Sequence, residues 1–221
     1  MANRRTVERF KKRTIWFHWT HTAVFLTLTV TGAILFLPGC GAAAAGGYTR
    51  LIHRIAALLF IAVPLVYFVM NPRMSLHFIK ESFTWGSDDK KWVLRAPDYY
   101  FGGDERKMLP QGHINTGQKM WQFIVIVSGL LFLISGLIMW FLRNDLPVNV
   151  FQWAVIVHDI AFMLSFLMLL VHIYLGVIHP RMTESLRSMF DGRISEEYAR
   201  SHYGKWYDQA FSRDEAVDPR R

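Results

Sequence analysis

The chain has 221 residues, of which 52% are hydrophobic and only 19% charged, whereas an average soluble domain carries about 25% charge. The apolar residues are concentrated in four runs almost free of charge: 15–37, 51–70, 120–142 and 151–178. Each run reaches the roughly 20 residues that cross a hydrocarbon core about 30 Å thick. This distribution excludes a soluble globular domain and a disordered chain. The single cysteine excludes a disulfide scaffold, and the spread of the net charge of +8 argues against nucleic-acid binding.

The predicted elements follow from these runs in chain order. A basic segment of residues 1–13 leads into four transmembrane helices, and a polar, partly helical tail of residues 181–221 follows them. The helices are predicted at about 14–37, 49–70, 116–142 and 150–179, with a connection of residues 71–115 between the second and the third. We expect the second helix to end at Asn71, because a residue that precedes proline avoids the helical region. The sequence therefore predicts an all-α integral membrane protein, a four-transmembrane-helix bundle over residues 14–180.

Basic residues indicate on which side of the membrane each segment lies. Six Lys or Arg occur at 4–13, eight at 71–119 and eight from Arg181 onward, whereas the loop at 38–49 has none and the loop at 143–150 has only Arg143. Cytoplasmic segments carry such an excess of Lys and Arg. We therefore predict that both termini and the 71–115 connection are cytoplasmic and that the two short loops face outward.

The first span is expected to be retained rather than removed as a signal peptide. Its basic start and residues 37–40 (LPGC) faintly resemble a lipoprotein signal. The apolar run of 23 residues is longer than the apolar region of a typical signal. It also contains His18 and His21, for which a discarded segment has no use.

Five of the nine histidines lie within or at the edges of the spans: His18, His21, His53, His158 and His172. Ionisable residues in hydrocarbon are costly and are functional candidates, although each alone could simply hydrogen-bond a neighbouring helix. His158 and His172 are 14 residues apart on the fourth span, which separates them by roughly 21 Å along the axis. Fourteen steps of about 100° fall about 40° short of four turns, so both side chains are predicted to point to much the same side.

The predicted topology supplies a partner for each of these two histidines. The first span starts on the inside, so His18 shares the inner level with His172. The second span starts on the outside, so His53 shares the outer level with His158. Tyr67 occupies the position 14 residues after His53, so the inner partner must come from the first span. His21, three residues after His18, is the alternative inner ligand.

Two stacked histidine pairs in a four-helix bundle are what two b haems require. A six-coordinate haem iron takes two neutral imidazoles on opposite faces, and helix bundles hold cofactors between facing helices. Zinc would need further ligands, and no Cys, Asp or Glu stands beside all four histidines. We predict an inner haem b whose iron is bound by His18 and His172. The predicted outer haem b has His53 and His158 as its iron ligands.

The third span opens with the polar sequence Asn115-Thr116-Gly117-Gln118. An amide side chain and glycine backbone groups at a helix N-terminus offer hydrogen-bond donors to a carbonyl oxygen. The alternative is that Asn115 is only the cap of this helix. The residues alone leave both roles open.

Several motifs together carry a family resemblance. They are His18-Trp19-Thr20, residues 115–120 (NTGQKM), His172-Ile173-Tyr174, residues 191–195 (DGRIS) and residues 205–207 (KWY). In order and spacing they resemble the gamma subunit, or cytochrome b subunit, of membrane-bound formate dehydrogenase. The resemblance covers nearly the whole chain and is specific.

This resemblance implies a four-helix protein of the bacterial cytoplasmic (inner) membrane with two b haems, bound by the same four histidines. It implies a menaquinone or ubiquinone site next to the inner haem, at Asn115, Gly117 and Gln118. The implied partners are an iron–sulfur beta subunit, a molybdenum or tungsten catalytic alpha subunit outside, the quinone and membrane lipids. A trimer of such heterotrimers is the assembly that the resemblance suggests.

The sequence thus predicts an electron-transfer subunit of an oxidoreductase complex. Electrons from the iron–sulfur subunit would enter the outer haem, cross about 20 Å to the inner haem and reduce a quinone near the cytoplasmic face. Formate oxidation belongs to a partner subunit, and no residue of this chain is predicted to be catalytic. One alternative is the cytochrome b subunit of a nickel–iron hydrogenase or of another molybdopterin oxidoreductase. A more distant one is a haem-free anchor or a metal transporter.

Overall fold

Helices account for most of the computed structural model, which describes residues 5–102 and 109–217. The first four elements are β1 (Thr6–Glu8), α1 (Lys12–Phe36), α2 (Gly41–Ala45) and α3 (Tyr48–Met70). They are followed by α4 (Pro72–Phe83), α5 (Ser87–Tyr100), α6 (Thr116–Phe141) and α7 (Val148–Ile173). The last four are α8 (Thr183–Asp191), β2 (Arg193–Ser195), α9 (Glu196–His202) and α10 (Gly204–Val217). Residues 1–4, 103–108 and 218–221, which belong to the predicted basic segment, connection and tail, lie outside the described residues.

Four of these helices are long and apolar enough to cross a membrane: α1, α3, α6 and α7 with its continuation to Ile178. Only 6% to 22% of the most apolar stretch of each is buried within the chain. Soluble monomers rarely expose contiguous apolar surface on this scale, whereas lipid covers it without cost. The prediction of a mostly helical protein with four helices able to span a membrane is therefore confirmed.

The chain divides into two compact units. The first, here called the span unit, comprises Trp16–Ile79 and Phe123–Val171 and holds most of the four long helices. The second, here called the end unit, comprises the remaining described residues and holds the start of α1, α5, the start of α6 and the tail.

A pair of short strands in the end unit departs from the predicted all-α class. Strands β1 and β2 pair antiparallel, with Val7 opposite Ile194. The turn before β2 requires a glycine, because Gly192 has a φ of +79° and an added Cβ would clash with the backbone oxygen of Phe10. The Gly192 carbonyl also accepts the backbone N–H groups of Arg9 and Phe10. Strands of three residues carry no alternating pattern long enough to be recognised.

The tail packs around a small aromatic core. Its buried members are Ile194, Tyr198, Ala199, Tyr203 and Tyr207. Helix α9 begins with a cap, in which the Ser195 hydroxyl accepts the backbone N–H of Tyr198, as serine does at this position in many helices. The tail is therefore folded and joined to the N-terminal strand.

The connection after the second span is helical on both sides of a short break. Helix α3 ends at Met70, where Asn71 leaves the helical region with φ −141° and ψ 57°, and Pro72 begins α4. Helix α5 begins with the Asp89 carboxylate accepting the backbone N–H of Gly86 at 2.9 Å. These two helices lead the chain to the polar start of α6.

Candidate cofactor site

His53 on α3 and His158 on α7 lie close together inside the span unit. Their ring centres are 6.3 Å apart and their planes are inclined by 57°. A metal binds an imidazole nitrogen at about 2.0–2.1 Å, and the ring centre lies about 1.1 Å behind that nitrogen, so two imidazoles on opposite sides of one metal have centres about 6.2–6.4 Å apart. The observed separation fits a single iron between the two rings.

A hydroxyl group contacts the Nδ1 nitrogen of each of these two imidazoles. Thr31 Oγ1, on α1, lies 2.8 Å from Nδ1 of His53. Ser135 Oγ, on α6, lies 2.8 Å from Nδ1 of His158. In both imidazoles Nδ1 is therefore engaged by protein, which leaves Nε2 as the metal-binding nitrogen.

A glycine follows each hydroxyl residue and lies against the same ring. A Cβ added at Gly32 would lie 3.7 Å from Cε1 of His53, and one added at Gly136 would lie 3.8 Å from Cε1 of His158. A larger side chain at either position would reach into the space beside the imidazole. The two glycines therefore keep the space beside both imidazoles open.

The two histidines near the start of α1 have different surroundings. Among the described residues, neither the buried Nδ1 of His18 nor the buried Nε2 of His21 has a hydrogen-bond partner. His21 is stacked on two aromatic rings, with its ring centre 5.5 Å from that of Phe17 and 4.6 Å from that of Phe60. Tyr67, the residue in place of a second histidine on α3, is stacked on Phe17 at 4.4 Å.

His172, the predicted partner of His18, belongs to the end unit. Its ring is stacked on Trp121 with centres 4.7 Å apart and planes inclined by 9°. A turn of π-helix at Tyr174–Ile178 follows directly, and such turns are frequent at functional sites.

The polar start of α6 forms a reciprocal cap. Asn115 Oδ1 accepts the backbone N–H of Gln118 at 2.8 Å, and Gln118 Oε1 accepts the backbone N–H of Asn115 at 3.0 Å. This is a capping box, so Asn115 has the capping role that the sequence left open. Gly117 lies against Trp92, where an added Cβ would be 3.1 Å from the indole ring.

An ion pair stands beside this cap. Asp89 accepts the Lys119 ammonium group at 2.9 Å and the Thr116 hydroxyl at 2.8 Å. Burial disfavours the charged carboxylate, but the hydrogen bonds from Lys119, the Gly86 backbone and Thr116 outweigh it and hold the pKa of Asp89 below its usual range. The first turn of α6 is thereby held to α5.

A buried arginine that the sequence did not single out completes this region. The guanidinium of Arg9 donates to Ser185 Oγ at 3.2 Å, to the His113 carbonyl at 3.2 Å and to Gln118 Oε1 at 3.3 Å. It is only 5% exposed. An arginine among many in a basic segment carries no sequence signal for burial, so only the fold reveals it.

Arg54, His179 and His158 also have protein partners. Arg54 lies over the ring of Trp140, 5.1 Å from its centre. His179 is buried, and its Nε2 lies 2.9 Å from the Tyr100 carbonyl. Nδ1 of His158 forms its hydrogen bond with Ser135 Oγ.

Four membrane-spanning helices with a histidine pair at metal-bridging distance between two of them define the class of membrane-bound b-type cytochromes. This class agrees with comparison to known sequences. The chain belongs to the prokaryotic cytochrome b561 family, whose sequence model matches residues 9–192.

Individual relatives narrow the resemblance further. The chain is 25% identical over 193 residues to the cytochrome b556 subunit of the nitrate-inducible formate dehydrogenase of Escherichia coli, covering 86% of this chain and 85% of that protein. It is 24% identical over 200 residues to the formate dehydrogenase cytochrome b556 subunit of Haemophilus influenzae, with 86% and 77% covered. A second Escherichia coli formate dehydrogenase cytochrome b556 subunit is 22% identical over 213 residues, or 94% of each chain. The resemblance drawn from the motifs is thus confirmed.

Proposed function

We propose that this chain is the di-haem cytochrome b subunit of a formate dehydrogenase complex, and that it passes electrons from an iron–sulfur subunit through the membrane to a quinone. The names of its relatives support formate dehydrogenase over a nickel–iron hydrogenase as the upstream enzyme. Formate oxidation itself belongs to a partner subunit, and this chain contributes electron transfer and the quinone site.

The observation that carries the proposal is the 6.3 Å between the ring centres of His53 and His158. When bound, a b haem supplies an iron that takes up and releases one electron at a time. The two imidazoles would bind this iron from opposite sides through Nε2. Gly32 and Gly136 would leave room beside the rings, and the surrounding apolar side chains would exclude water.

The inner haem would be held by His18 and His172. The support is their spacing along the spans: His18 is in the second turn of α1, and His172 is in the last turn of α7. Among the described residues the buried Nδ1 of His18 lacks a hydrogen-bond partner, as does Nε2 of His21, and Trp121 fixes the plane of the His172 ring. His21 is the alternative ligand from α1.

The quinone would bind at the start of α6, at Asn115, Gly117 and Gln118. The cap described above uses the side-chain carbonyl oxygens of Asn115 and Gln118 as acceptors. Their amide N–H groups are donors, which is what a quinone carbonyl oxygen requires. Capping and quinone binding are therefore compatible at one site, and menaquinone is the substrate that the resemblance favours.

The pairing of β1 with β2 supports a topology with both ends on one side. A strand before the first span and a strand after the last can pair only if the number of crossings between them is even. The excess of Lys and Arg supports the cytoplasm as that side. Electrons would then arrive from an iron–sulfur beta subunit and a molybdenum or tungsten alpha subunit outside, in a heterotrimer that assembles as a trimer.

The test is haem content in the purified complex. We expect two b haems per chain in the parent protein. His53→Ala or His158→Ala should remove the outer haem and leave the inner one. His18→Ala or His172→Ala should remove the inner haem and leave the outer one. His77→Ala, on the exposed face of α4, is the matched control and should retain both. A folded parent complex whose reduced-minus-oxidised spectrum lacks b-type bands would overturn the proposal. Identification of the co-purified subunits tests the formate dehydrogenase assignment.

A further inference from the structure

We propose that Thr31 and Ser135 are positioning residues for the outer haem. They fix which ring nitrogen of each imidazole ligand carries the proton, and they lower the reduction potential of the iron between the two ligands. The inference rests on the proposed function, because it takes His53 and His158 as the ligands of one haem. Both hydroxyl side chains are buried, with 6% and 2% of their surface exposed.

The direction of each hydrogen bond follows from the second contact of the hydroxyl. Thr31 Oγ1 lies 2.7 Å from the carbonyl oxygen of Thr27, and Ser135 Oγ lies 2.6 Å from that of Leu131. A hydroxyl has a single proton, and a carbonyl oxygen can only accept it. The oxygen then accepts from the imidazole, so Nδ1–H is the donor and Nε2 carries the free lone pair.

The opposite direction would be incompatible with iron binding. If the hydroxyl donated to Nδ1, a neutral imidazole would carry its proton on Nε2, which then has no lone pair for the metal. The tautomer fixed by Thr31 and Ser135 is the one that the 6.3 Å arrangement of His53 and His158 needs. Both imidazoles are therefore held in the metal-binding tautomer before the haem binds.

The arrangement occurs twice with the same geometry. Thr31 on the first span serves a histidine 22 residues later on the second, and Ser135 on the third serves a histidine 23 residues later on the fourth. A glycine follows the hydroxyl residue in both cases. Both distances to Nδ1 are 2.8 Å. Two helix hairpins thus supply matching halves of one site.

The two bonds have a consequence for electron transfer. A hydrogen bond donated by Nδ1 makes Nε2 of the imidazole a stronger electron-pair donor to the metal. A stronger electron-pair donor stabilises ferric iron relative to ferrous iron. The outer haem, with two such ligands, is held at a low potential. His18 has no such partner on Nδ1 among the described residues. The difference would favour transfer from the outer to the inner haem.

The experiment measures the two haem potentials in the purified complex with Thr31→Val and Ser135→Ala, singly and together. We expect the outer haem to become easier to reduce. In the double variant the equilibrium constant for electron transfer between the two haems should change about tenfold, which is 59 mV for a one-electron couple. The electron paramagnetic resonance signal of the outer ferric haem should change as well, while that of the inner haem stays as in the parent.

Two further variants separate this role from a merely structural one. Thr31→Ser keeps the hydroxyl and should retain the parental potential. Thr29→Val removes a hydroxyl from the same helix that donates only to the Phe25 carbonyl, and it should leave both potentials unchanged. Loss of the outer haem in Thr31→Val but not in these two variants would also support the inference.

Both haems present at parental potentials in the double variant would overturn the inference. That result would leave the proposed function intact. Failure of the proposed function is distinct, because it appears in the parent complex as missing b-type bands.

Discussion

Arg9 lies over the ring of Tyr203, with its guanidinium carbon 3.6 Å from the ring centre. The two residues belong to opposite ends of the sequence, yet the same guanidinium also donates to Gln118 at the start of α6. This one side chain therefore joins the N-terminal strand, the tail and the third span. Such a planar group with a fixed set of donors is not replaceable by lysine.

We predict that Arg9→Lys destabilises the protein by about 2 kcal/mol, because hydrogen bonds from a charged group contribute about 1.5–3 kcal/mol each and lysine reproduces few of them. Thermal unfolding of the detergent-solubilised protein measures the loss. Arg187→Lys, whose side chain is 77% exposed, is the control and should change stability by less than about 0.5 kcal/mol. Equal effects of the two substitutions would contradict the prediction.

Asn115→Asp separates capping from quinone binding. Aspartate still accepts the backbone N–H of Gln118, so the cap and the stability should remain. The amide donor is lost, so kcat/KM for quinone reduction should fall about tenfold, the equivalent of about 1.4 kcal/mol in one hydrogen bond. Asn115→Ala should also cost about 1 kcal/mol of stability. Parental quinone kinetics in Asn115→Asp would show that the residue is a cap alone.

The ion pair of Asp89 predicts a pH dependence. The pKa of this carboxyl is lowered in the folded protein, so its stabilisation is present above the unfolded pKa of about 3.9 and is lost as the pH falls through the folded pKa. Asp89→Asn should therefore lower the unfolding temperature at pH 7, and the difference from the parent should shrink below about pH 4. Asp98→Asn, at an exposed position of the same helix, is the control. A difference that persists unchanged at acid pH would argue against the ion pair as its cause.

The space beside His158 predicts a size limit at Gly136. An alanine Cβ would lie 3.8 Å from Cε1 of the imidazole, an ordinary contact, so Gly136→Ala should retain both haems. Gly136→Leu places further atoms against the ring and should remove the outer haem, which halves the haem content measured after extraction. Two haems in the leucine variant would mean that the macrocycle lies elsewhere.

The pair of His53 and His158 shows how much of the site could be predicted from the sequence. Hydropathy gave the four spans, and the direction of each span put His53 at the depth of His158. Depth follows from counting residues, whereas side-chain contacts depend on how each helix is rotated about its axis. Thr31 and Ser135 were missed for this reason. A hydroxyl in an apolar helix usually bonds its own backbone, and nothing in a single sequence separates these two from Thr29.

The end unit contains a part of the fold that could not be predicted from the sequence. The tail was predicted to be polar and partly helical, but its pairing with residues 6–8 depends on two segments at opposite ends of the chain. Local propensity carries no information about such a contact. The signal that was available is Gly192 in the Asp191-Gly192 turn, whose positive φ is typical of a tight turn before a strand.

The pairing of β1 with β2 also dictates an order of events during biosynthesis. The first strand leaves the ribosome long before its partner, since 184 residues separate Glu8 from Arg193, and all four spans are inserted in the interval. Residues 6–8 therefore have no strand partner until residues 193–195 have been synthesised. The pairing of β1 with β2 is therefore a late step of folding, and a nascent chain that stops before residue 193 cannot form it.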